Sequence, residues 1–405
     1  MIELVHNERA AKDGVEIPGL SLSDAAKIKR FHESFPVYQE TPLVRLNRLA
    51  GELGVAGIYV KDESFRFGLN AFKVLGGSYA IGNYIAKKLG MDIDELPYEK
   101  MVSKEIKEKT GEITFISATD GNHGRGVAWT AHELGQKSII LMPKGSAMER
   151  LLNIRAAGAD ATITDLNYDD AVRLANKMAE EHGYVMVQDT AWEGYEDIPT
   201  WIMQGYMTMA YEAYLELKDV RPTHIFIQAG VGSLAGAVIG FFSGVYKEKK
   251  PIMTVVEPDQ AACIYATMKA DDGKRHIVTG DMPTIMAGLA CGEPNTVSLE
   301  ILRKCGDNFL SCPDYVAAQG MRILGNPLSD DARVIAGESG AASFGAVTEI
   351  LRNPAYKELK EKLQLDANSR ILFFNSEGDT DRENYRRIVW DGAYTRNEWE
   401  ETGKL

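Results

Sequence analysis

Residues 224–238 read His224-Ile225-Phe226-Ile227-Gln228-Ala229-Gly230-Val231-Gly232-Ser233-Leu234-Ala235-Gly236-Ala237-Val238. The run passes from an apolar strand through a glycine turn into a helix of small residues. Glycines in such a turn let consecutive backbone N–H groups converge on an anion, and the following helix adds the positive end of its dipole. The segment predicts a strand–turn–helix unit that binds a phosphate. Glycines that serve only tight helix–strand packing would give the same pattern.

Short β-branched runs recur along the chain and are separated by amphipathic helical segments. This alternation predicts an α/β fold with βαβ units on mostly parallel sheets. In that architecture ligands bind beyond the carboxyl ends of the strands. The predicted strands are Gly57–Lys61, Ile113–Ser117, Ser138–Met142, Ala161–Thr164, Tyr184–Gln188, His224–Gln228, Met253–Val256 and Arg370–Phe374.

The middle third of the chain has strands and helices of its own. We therefore expect a larger domain made of residues 1–81 and 195–405, and a smaller α/β domain of residues 82–194 inserted into it. The active site is expected in the cleft between the two domains. The charged segment 91–111 is interpreted as a solvated surface excursion without chemistry.

The composition favours small-molecule chemistry in the cytoplasm. The 405 residues include 45 Lys+Arg and 58 Asp+Glu, a formal charge of -13, which argues against nucleic acid or an anionic membrane surface as partner. Neither a secretory leader nor a run of membrane-spanning length is visible in the sequence. Four irregularly spaced cysteines do not form a disulfide framework or zinc ribbon, although a Cys263–Cys291 pair stays open.

Lys73 is unusual because the residues around it are apolar. It lies in Phe67-Gly68-Leu69-Asn70-Ala71-Phe72-Lys73-Val74-Leu75-Gly76-Gly77, among aromatic and aliphatic side chains. Burial disfavours an ammonium and makes the neutral, nucleophilic amine accessible near neutral pH, as a Schiff-base lysine requires. The alternative is a lysine at a helix start that extends its head into water.

A third polar segment, Ser117-Ala118-Thr119-Asp120-Gly121-Asn122-His123-Gly124-Arg125-Gly126, directly follows a predicted strand. Its small residues expose N–H groups that can bind an amino-acid carboxylate, and Asn122 can hydrogen-bond a cofactor hydroxyl. In the alternative interpretation the segment only caps a helix, with Asp120 or Asn122 as the N-cap.

Two cofactors fit the glycine turn. Gly230-x-Gly232-x-x-Ala235, with Glu257 as a ribose acceptor, matches a dinucleotide fingerprint and would indicate a nicotinamide-dependent oxidoreductase. That interpretation leaves Lys73 without a role. A phosphate cradle together with an apolar lysine indicates a cofactor that carries a phosphate and an aldehyde, namely pyridoxal 5'-phosphate.

The three segments, in this order, resemble those of the fold-type II pyridoxal phosphate enzymes, the group of tryptophan synthase β, cysteine synthase and threonine dehydratase. The chain is most similar to the diaminopropionate ammonia-lyase family within that group. This resemblance implies two open, mostly parallel twisted sheets flanked by helices. The motifs that carry it are 61–77, 119–126, Met142-Pro143-Lys144-Gly145-Ser146-Ala147, Gln188-Asp189-Thr190-Ala191-Trp192-Glu193-Gly194-Tyr195, Gly288-Leu289-Ala290-Cys291-Gly292-Glu293-Pro294 and Glu377-Gly378-Asp379-Thr380-Asp381.

The resemblance also implies how the cofactor is held. Lys73 forms the Schiff base, Asn122 lies beside the ring hydroxyl, and a hydroxyl near the ring nitrogen comes from Ser376 or, as second choice, Thr380. The segment Glu338-Ser339-Gly340-Ala341 loosely resembles a turn where a cation sometimes binds in dehydratases, but no metal is assigned. The residues expected around the phosphate are Gly230, Val231, Gly232, Ser233 and Leu234.

Two carboxylates suit a substrate with a second ammonium. Asp120 replaces a small neutral residue of the dehydratases and, beside a substrate-carboxylate pocket formed with Thr119 and Gly121, would bind the β-ammonium of 2,3-diaminopropionate. Asp189 is a catalytic base by the resemblance, or a turn cap in the alternative interpretation. With Lys73 as the second base on the opposite cofactor face, both D- and L-substrates can lose the α-proton.

The implied activity is that of a carbon–nitrogen lyase. Loss of the α-proton and the β-amine, followed by hydrolysis, converts 2,3-diaminopropionate and water to pyruvate and two ammonia. A homodimer is expected from the family. A related serine/threonine dehydratase or β-eliminase is the alternative activity, and the nicotinamide-dependent oxidoreductase is a distant one.

Overall fold

The computed structural model describes residues 1–119 and 121–402, whose strands form two sheets flanked by helices. The strands are β1 (Glu3–His6), β2 (Leu43–Arg45), β3 (Gly57–Asp62), β4 (Thr114–Ala118), β5 (Lys137–Met142), β6 (Asp160–Ile163), β7 (Val185–Met186), β8 (His224–Gln228), β9 (Ile252–Pro258), β10 (Asn308–Cys312) and β11 (Arg370–Asn375). The helices are α1 (Leu22–Glu33), α2 (Asn47–Leu53), α3 (Val74–Leu89), α4 (Tyr98–Met101), α5 (Lys104–Thr110), α6 (Asn122–Glu133), α7 (Met148–Ala156), α8 (Tyr168–His182), α9 (Asp197–Gly205), α10 (Met207–Leu217), α11 (Ser233–Tyr246), α12 (Cys263–Ala270), α13 (Thr296–Cys305), α14 (Asp314–Gly325), α15 (Glu338–Arg352), α16 (Lys357–Lys362), α17 (Arg382–Val389) and α18 (Arg396–Thr402).

The larger sheet has the strand order β1-β10-β9-β8-β11-β3-β2 and the smaller has β6-β5-β4-β7. Only the outer strands β1 and β2 pair in an antiparallel way, and the other described pairings are parallel. Strand β8 is buried along its whole length, as expected for a strand covered by helices on both faces. The prediction of mostly parallel sheets flanked by helices is confirmed.

Strand β7 is shorter than the predicted Tyr184–Gln188 because a side chain continues its pairing. The amide of Gln188 accepts a hydrogen bond from the Ala118 backbone N–H at 3.0 Å and donates one to the Ala118 carbonyl oxygen at 2.9 Å. These two bonds replace the backbone ladder between β7 and β4 and turn the following residue, Asp189, towards the carboxyl end of the smaller sheet. The chain therefore leaves the sheet where a site can form.

A fully buried ionic cluster supports the segment between β3 and Lys73. The Arg66 guanidinium donates to Glu63 Oε2 at 2.8 Å and to Glu212 Oε2 at 2.7 Å, and the Lys61 ammonium lies 2.9 Å from Glu212 Oε2. Thr41 Oγ1 donates to Glu63 Oε1 at 2.6 Å. Because removing one partner would leave an uncompensated buried charge, the cluster holds this segment firmly against α10.

The strands of the smaller sheet all come from residues 114–186, inside the predicted inserted domain. Helix α3, however, continues without a break past residue 82 and packs against both α6 and α9. The boundaries at 82 and 194 stay a prediction. No helix among residues 1–119 and 121–402 is long and apolar enough to cross a membrane.

Candidate active site

Lys73 and Asp189 meet at the wall of a cavity of about 910 Å³. Lys73 is the N-cap residue of α3, and Asp189 follows β7. Lys73 Nζ lies 2.5 Å from Asp189 Oδ2, and the two side chains are 18% and 6% exposed. The structure corrects the sequence interpretation that Lys73 has only apolar company, because a carboxylate from a distant part of the chain faces its amine.

The contacts of Asp189 explain its acidity. Burial alone would raise the pKa of the Asp189 carboxyl, but the Lys73 ammonium and then His123 lower it to about 2. The low pKa of Asp189 therefore depends on the positive charge of the Lys73 amine. Tyr168 also donates its hydroxyl to Asp189 Oδ1 at 3.4 Å.

The glycine turn after β8 lies directly beside Asp189. Ser233 Oγ donates to the Asp189 carbonyl oxygen at 2.6 Å, and Asn295 Nδ2 donates to the same oxygen at 3.1 Å. Gly232 has φ +105, in the left-handed region that favours glycine, and precedes the first residue of the 14-residue helix α11. A glycine turn at the start of a long helix is suited to an anion such as a phosphate.

We expect Gly232→Ala to lower the affinity for pyridoxal phosphate by about tenfold or more. An alanine at φ +105 is strained, and its Cβ would lie 2.9 Å from Ser298 Oγ and 3.0 Å from Ile264 Cδ1. Equilibrium dialysis against the cofactor measures the effect. Gly244→Ala on the same α11 segment is the control, because the nearest atom to its Cβ is at an ordinary 3.5 Å. Equal affinities of the two variants would contradict the role of this turn.

The turn after β11 joins Lys73 to Asn122. The Phe72 N–H donates to the Ser376 carbonyl oxygen at 3.1 Å, and Gln228 Nε2 donates to Ser376 Oγ at 2.9 Å. Asn122 Nδ2 donates to Glu377 Oε2, which also accepts from Thr380 Oγ1 at 3.3 Å. The predicted cofactor residues at the starts of α3 and α6 and at the end of β11 are therefore neighbours. Their roles stay a prediction.

The predicted substrate pocket is partly described. Thr119 faces the same cavity as Lys73, and its Oγ1 accepts from the Gly121 N–H at 3.1 Å. His123, also facing the cavity, makes a 2.8 Å hydrogen bond through Nε2 with the Val187 carbonyl oxygen. Asp120 lies outside the described residues.

Glu338 borders the cavity as a buried carboxyl that the sequence interpretation left without a role. Burial, followed by the nearby Glu377 carboxylate, raises the pKa of Glu338 to about 7. Asn384 Nδ2 donates to Glu338 Oε1 at 2.6 Å. Within residues 1–119 and 121–402 no group of three or more His, Cys, Asp or Glu side chains is arranged to hold a metal ion.

Glu257 does not serve the dinucleotide interpretation. Its carboxylate is fully buried and accepts hydrogen bonds from the backbone N–H groups of Ile264 at 2.9 Å and Tyr265 at 2.6 Å. It therefore caps the first turn of α12 and offers no oxygen to a ribose. This finding removes the acidic residue on which the nicotinamide alternative depended.

Glu257→Gln is expected to change how stability depends on pH. Burial raises the pKa of Glu257 from 4.5 to about 8, so between these values the folded state holds a proton that the unfolded state has lost. The wild-type free energy of unfolding should therefore fall relative to the variant as pH rises from 4.5 to 8, by at most about 5 kcal/mol. Urea unfolding at pH 5, 7 and 8.5 measures it. A constant difference would contradict the buried proton.

The sequence alone assigns no role to several residues of the site. Tyr168 begins α8 far from the motifs, and Glu377 was overlooked because the interpretation of its motif centred on the neighbouring hydroxyls. His123 lies inside a quoted motif but received no role. Cys263 and Cys291 are not joined by a disulfide in the structure.

Comparisons with known proteins show the family to which the chain belongs. A family model described as Pyridoxal-phosphate dependent enzyme matches residues 35–377. The chain is 51% identical over 398 residues to the diaminopropionate ammonia-lyase of Salmonella typhimurium, covering 97% of this chain and 98% of that protein. It is 50% identical over 385 residues to the Escherichia coli enzyme of the same name, covering 94% and 95%.

Solved structures show the same likeness. The structure of the Escherichia coli diaminopropionate ammonia lyase in complex with D-serine has a TM-score of 0.91 and 47% identity, covering 97% of this chain and 98% of that one. The same enzyme in complex with an aminoacrylate-PLP azomethine reaction intermediate has a TM-score of 0.89 and 47% identity, covering 98% of each chain.

Proposed function

The chain belongs to the family of pyridoxal-phosphate-dependent enzymes, of fold type II, and from this we propose that it converts 2,3-diaminopropionate and water to pyruvate and two ammonia. The observation that carries the proposal is the contact of Lys73 Nζ with Asp189 Oδ2 at the cavity wall, beside a glycine turn built for a phosphate. The enzyme is a carbon–nitrogen lyase whose cofactor is pyridoxal 5'-phosphate. Its relatives of that name are about 50% identical over nearly their whole length.

The residues present fit the cofactor. An anion cradle at residues 230–234 and an amine at Lys73 suit its phosphate and its aldehyde, and Asn122 and Ser376 lie close to Lys73 through the turn after β11. When bound, pyridoxal phosphate supplies an electron sink that stabilises negative charge at the substrate α-carbon. We assign Asn122 to the ring hydroxyl, residues 230–234 to the phosphate, and Ser376 or Thr380 to the ring nitrogen.

Lys73 and Asp189 are the proposed bases. The ion pair between them keeps the pKa of Asp189 near 2, where a carboxylate is a weak base. Burial opposes this effect of the Lys73 charge, so Asp189 would be a stronger base in any state in which less positive charge faces it. With the cofactor bound, the amine of Lys73 would act as the base on the opposite face of the cofactor from Asp189. Both D- and L-diaminopropionate are then substrates.

Substrate choice is assigned to carboxylates. We propose that Asp120, with the backbone of Thr119 and Gly121, favours a substrate that carries a β-ammonium over serine or threonine. The support is the sign of the charge, because a carboxylate attracts a β-ammonium, whereas the neutral hydroxyl of serine or threonine gives no such charge attraction. Asp120 also returns a proton to the departing amine in this proposal.

The experiment that tests the function compares substrates on one preparation of holoenzyme. D- and L-2,3-diaminopropionate, L-serine and L-threonine are supplied separately, and pyruvate or 2-oxobutyrate and ammonia are counted. We expect at least about 100-fold higher kcat/KM for diaminopropionate and two ammonia per pyruvate. Higher kcat/KM for serine or threonine would instead identify a dehydratase.

A pair of variants decides which hydroxyl faces the ring nitrogen. Ser376 Oγ accepts a hydrogen bond from Gln228 Nε2, and the Ser376 carbonyl oxygen accepts one from the N–H of Phe72, the residue before Lys73. We therefore expect Ser376→Ala to shift the absorption maximum of the bound cofactor and lower kcat about tenfold or more. Thr380→Ala should leave the absorption maximum unchanged. The reverse pattern would assign the role to Thr380.

We also infer that the enzyme is a cytoplasmic homodimer. The support for the dimer is the family resemblance, and the support for the compartment is an acidic chain with only four cysteines, which do not form a disulfide framework. Light scattering of the purified protein should give twice the chain mass of 44.7 kDa. A mass of one chain would contradict the dimer.

A further inference from the structure

A second cavity, of about 420 Å³, is lined in part by residues 64–70, the segment that leads to Lys73. It shares no lining residue with the catalytic cavity. Four charged side chains line it: Arg125 on α6, Arg382 at the start of α17, Glu149 on α7, and Asp379 after β11. Two of these side chains are positively charged and two are negatively charged.

Arg125 is a half-buried cation with no ion pair to any described residue. Its Nη1 donates to the Leu69 carbonyl oxygen at 2.9 Å, and its buried Nε has no hydrogen-bond partner in residues 1–119 and 121–402. Burial and then the Arg382 guanidinium lower the pKa of Arg125. A buried guanidinium next to a like charge is costly, so an anion bound here would remove a real penalty.

The other three charges are loosely held. Arg382 Nε is 3.9 Å from Glu149 Oε1, and these side chains are 67% and 38% exposed, so the pair contributes little. Asp379 Oδ1 accepts a hydrogen bond from Asn70 Nδ2 at 3.0 Å. The cavity thus offers two guanidinium groups and two carboxylates that are available to a ligand.

We propose that this cavity is a second amino-acid site, in which a free α-amino acid binds as a zwitterion. Its carboxylate is bound by Arg125 and Arg382, since guanidinium groups bind carboxylates with paired, charge-assisted hydrogen bonds. Its ammonium is bound by Asp379 and Glu149. The proposed site is formed by these four side chains, so it does not depend on the elimination reaction proposed above.

Two contacts connect the site to the catalytic lysine. Arg125 holds the Leu69 carbonyl oxygen, and Asn70, which contacts Asp379, also accepts through its carbonyl oxygen from the Gly378 N–H at 3.0 Å. Leu69 and Asn70 lie in the loop that ends at Lys73. An amino acid bound to Arg125 and Asp379 would therefore be connected through hydrogen bonds to the loop that ends at Lys73 and to the turn after β11.

The test is calorimetric binding of N,N-dimethylglycine to the holoenzyme. This probe is a zwitterion whose tertiary ammonium cannot condense with an aldehyde, so the cofactor cannot capture it. We expect saturable binding that Arg382→Gln and Arg125→Gln each weaken at least about tenfold. Asp189→Asn should bind the probe as the wild type does, because Asp189 lines only the catalytic cavity.

Arg9→Gln is the matched control, since Arg9 is 69% exposed and paired with a single carboxylate, Asp271, at 3.0 Å. Because Arg125 also donates a hydrogen bond to the Leu69 carbonyl oxygen, circular dichroism checks that the Arg125→Gln variant is folded. Arg382 is 67% exposed, so its replacement tests binding without a comparable effect on folding. No saturable binding, or binding unchanged in both arginine variants, would overturn the site. Acetate or inorganic phosphate binding as tightly as the zwitterion would overturn the amino-acid assignment.

Discussion

The Lys73→Ala protein is expected to lose at least about 10⁴-fold in kcat for pyruvate release, together with the visible absorption band of lysine-bound cofactor. The Lys73 side chain is more than four-fifths buried, and Lys73 is the N-cap residue of α3 and borders the catalytic cavity. In the proposed mechanism, loss of this amine removes both the covalent anchor of the cofactor and one of the two bases. Absorption spectra and steady-state kinetics on the purified variant measure the two effects.

Lys144→Ala is the matched control for that variant. Lys144 also borders the catalytic cavity, but Lys144 is exposed whereas the Lys73 side chain is largely buried. Its replacement should leave the absorption band in place. A Lys73→Ala protein that keeps the band would move the Schiff base to another lysine and contradict the assignment.

Asp189→Asn is expected to separate the two enantiomers. If Asp189 and Lys73 act on opposite faces of the cofactor, the variant should lose about 10² to 10⁴-fold in kcat for one enantiomer of diaminopropionate and far less for the other. The substitution keeps the size of the side chain and removes only its basicity. Initial rates with D- and L-substrate on the same preparation measure the ratio.

The control is Asp170→Asn, because Asp170 borders the same cavity but its carboxylate pairs with Arg173 at 2.8 Å. It should leave the ratio of the two rates unchanged. Equal losses for both enantiomers in Asp189→Asn would show that this carboxylate does not act on one face, and the two-base assignment would be wrong.

The strands could be predicted where several apolar residues follow one another without interruption. Strand β8 matches its predicted bounds because the run from His224 to Gln228 is apolar and is followed by glycines. Strands β1 and β2 were missed, since antiparallel edge strands of four and three residues carry too little pattern. Strand β10 was missed because Asn308 and Ser311 interrupt its apolar run.

The site could be predicted in its chemistry but not in its contacts. Lys73, the glycine turn and Asp189 are each visible locally, yet the 2.5 Å contact between Lys73 and Asp189 joins residues 116 positions apart. Only the pairing of the strands brings them together. For the same reason, the low pKa of Asp189 and the capping role of Glu257 could not be read from neighbours in sequence.

The most direct test of the central claim is the absorption spectrum of the purified protein, recorded before and after addition of 2,3-diaminopropionate. We predict a visible cofactor band that changes when the substrate is added, while pyruvate and twice as much ammonia accumulate. A protein that shows no visible band even after pyridoxal phosphate is supplied, and releases no pyruvate, would contradict it.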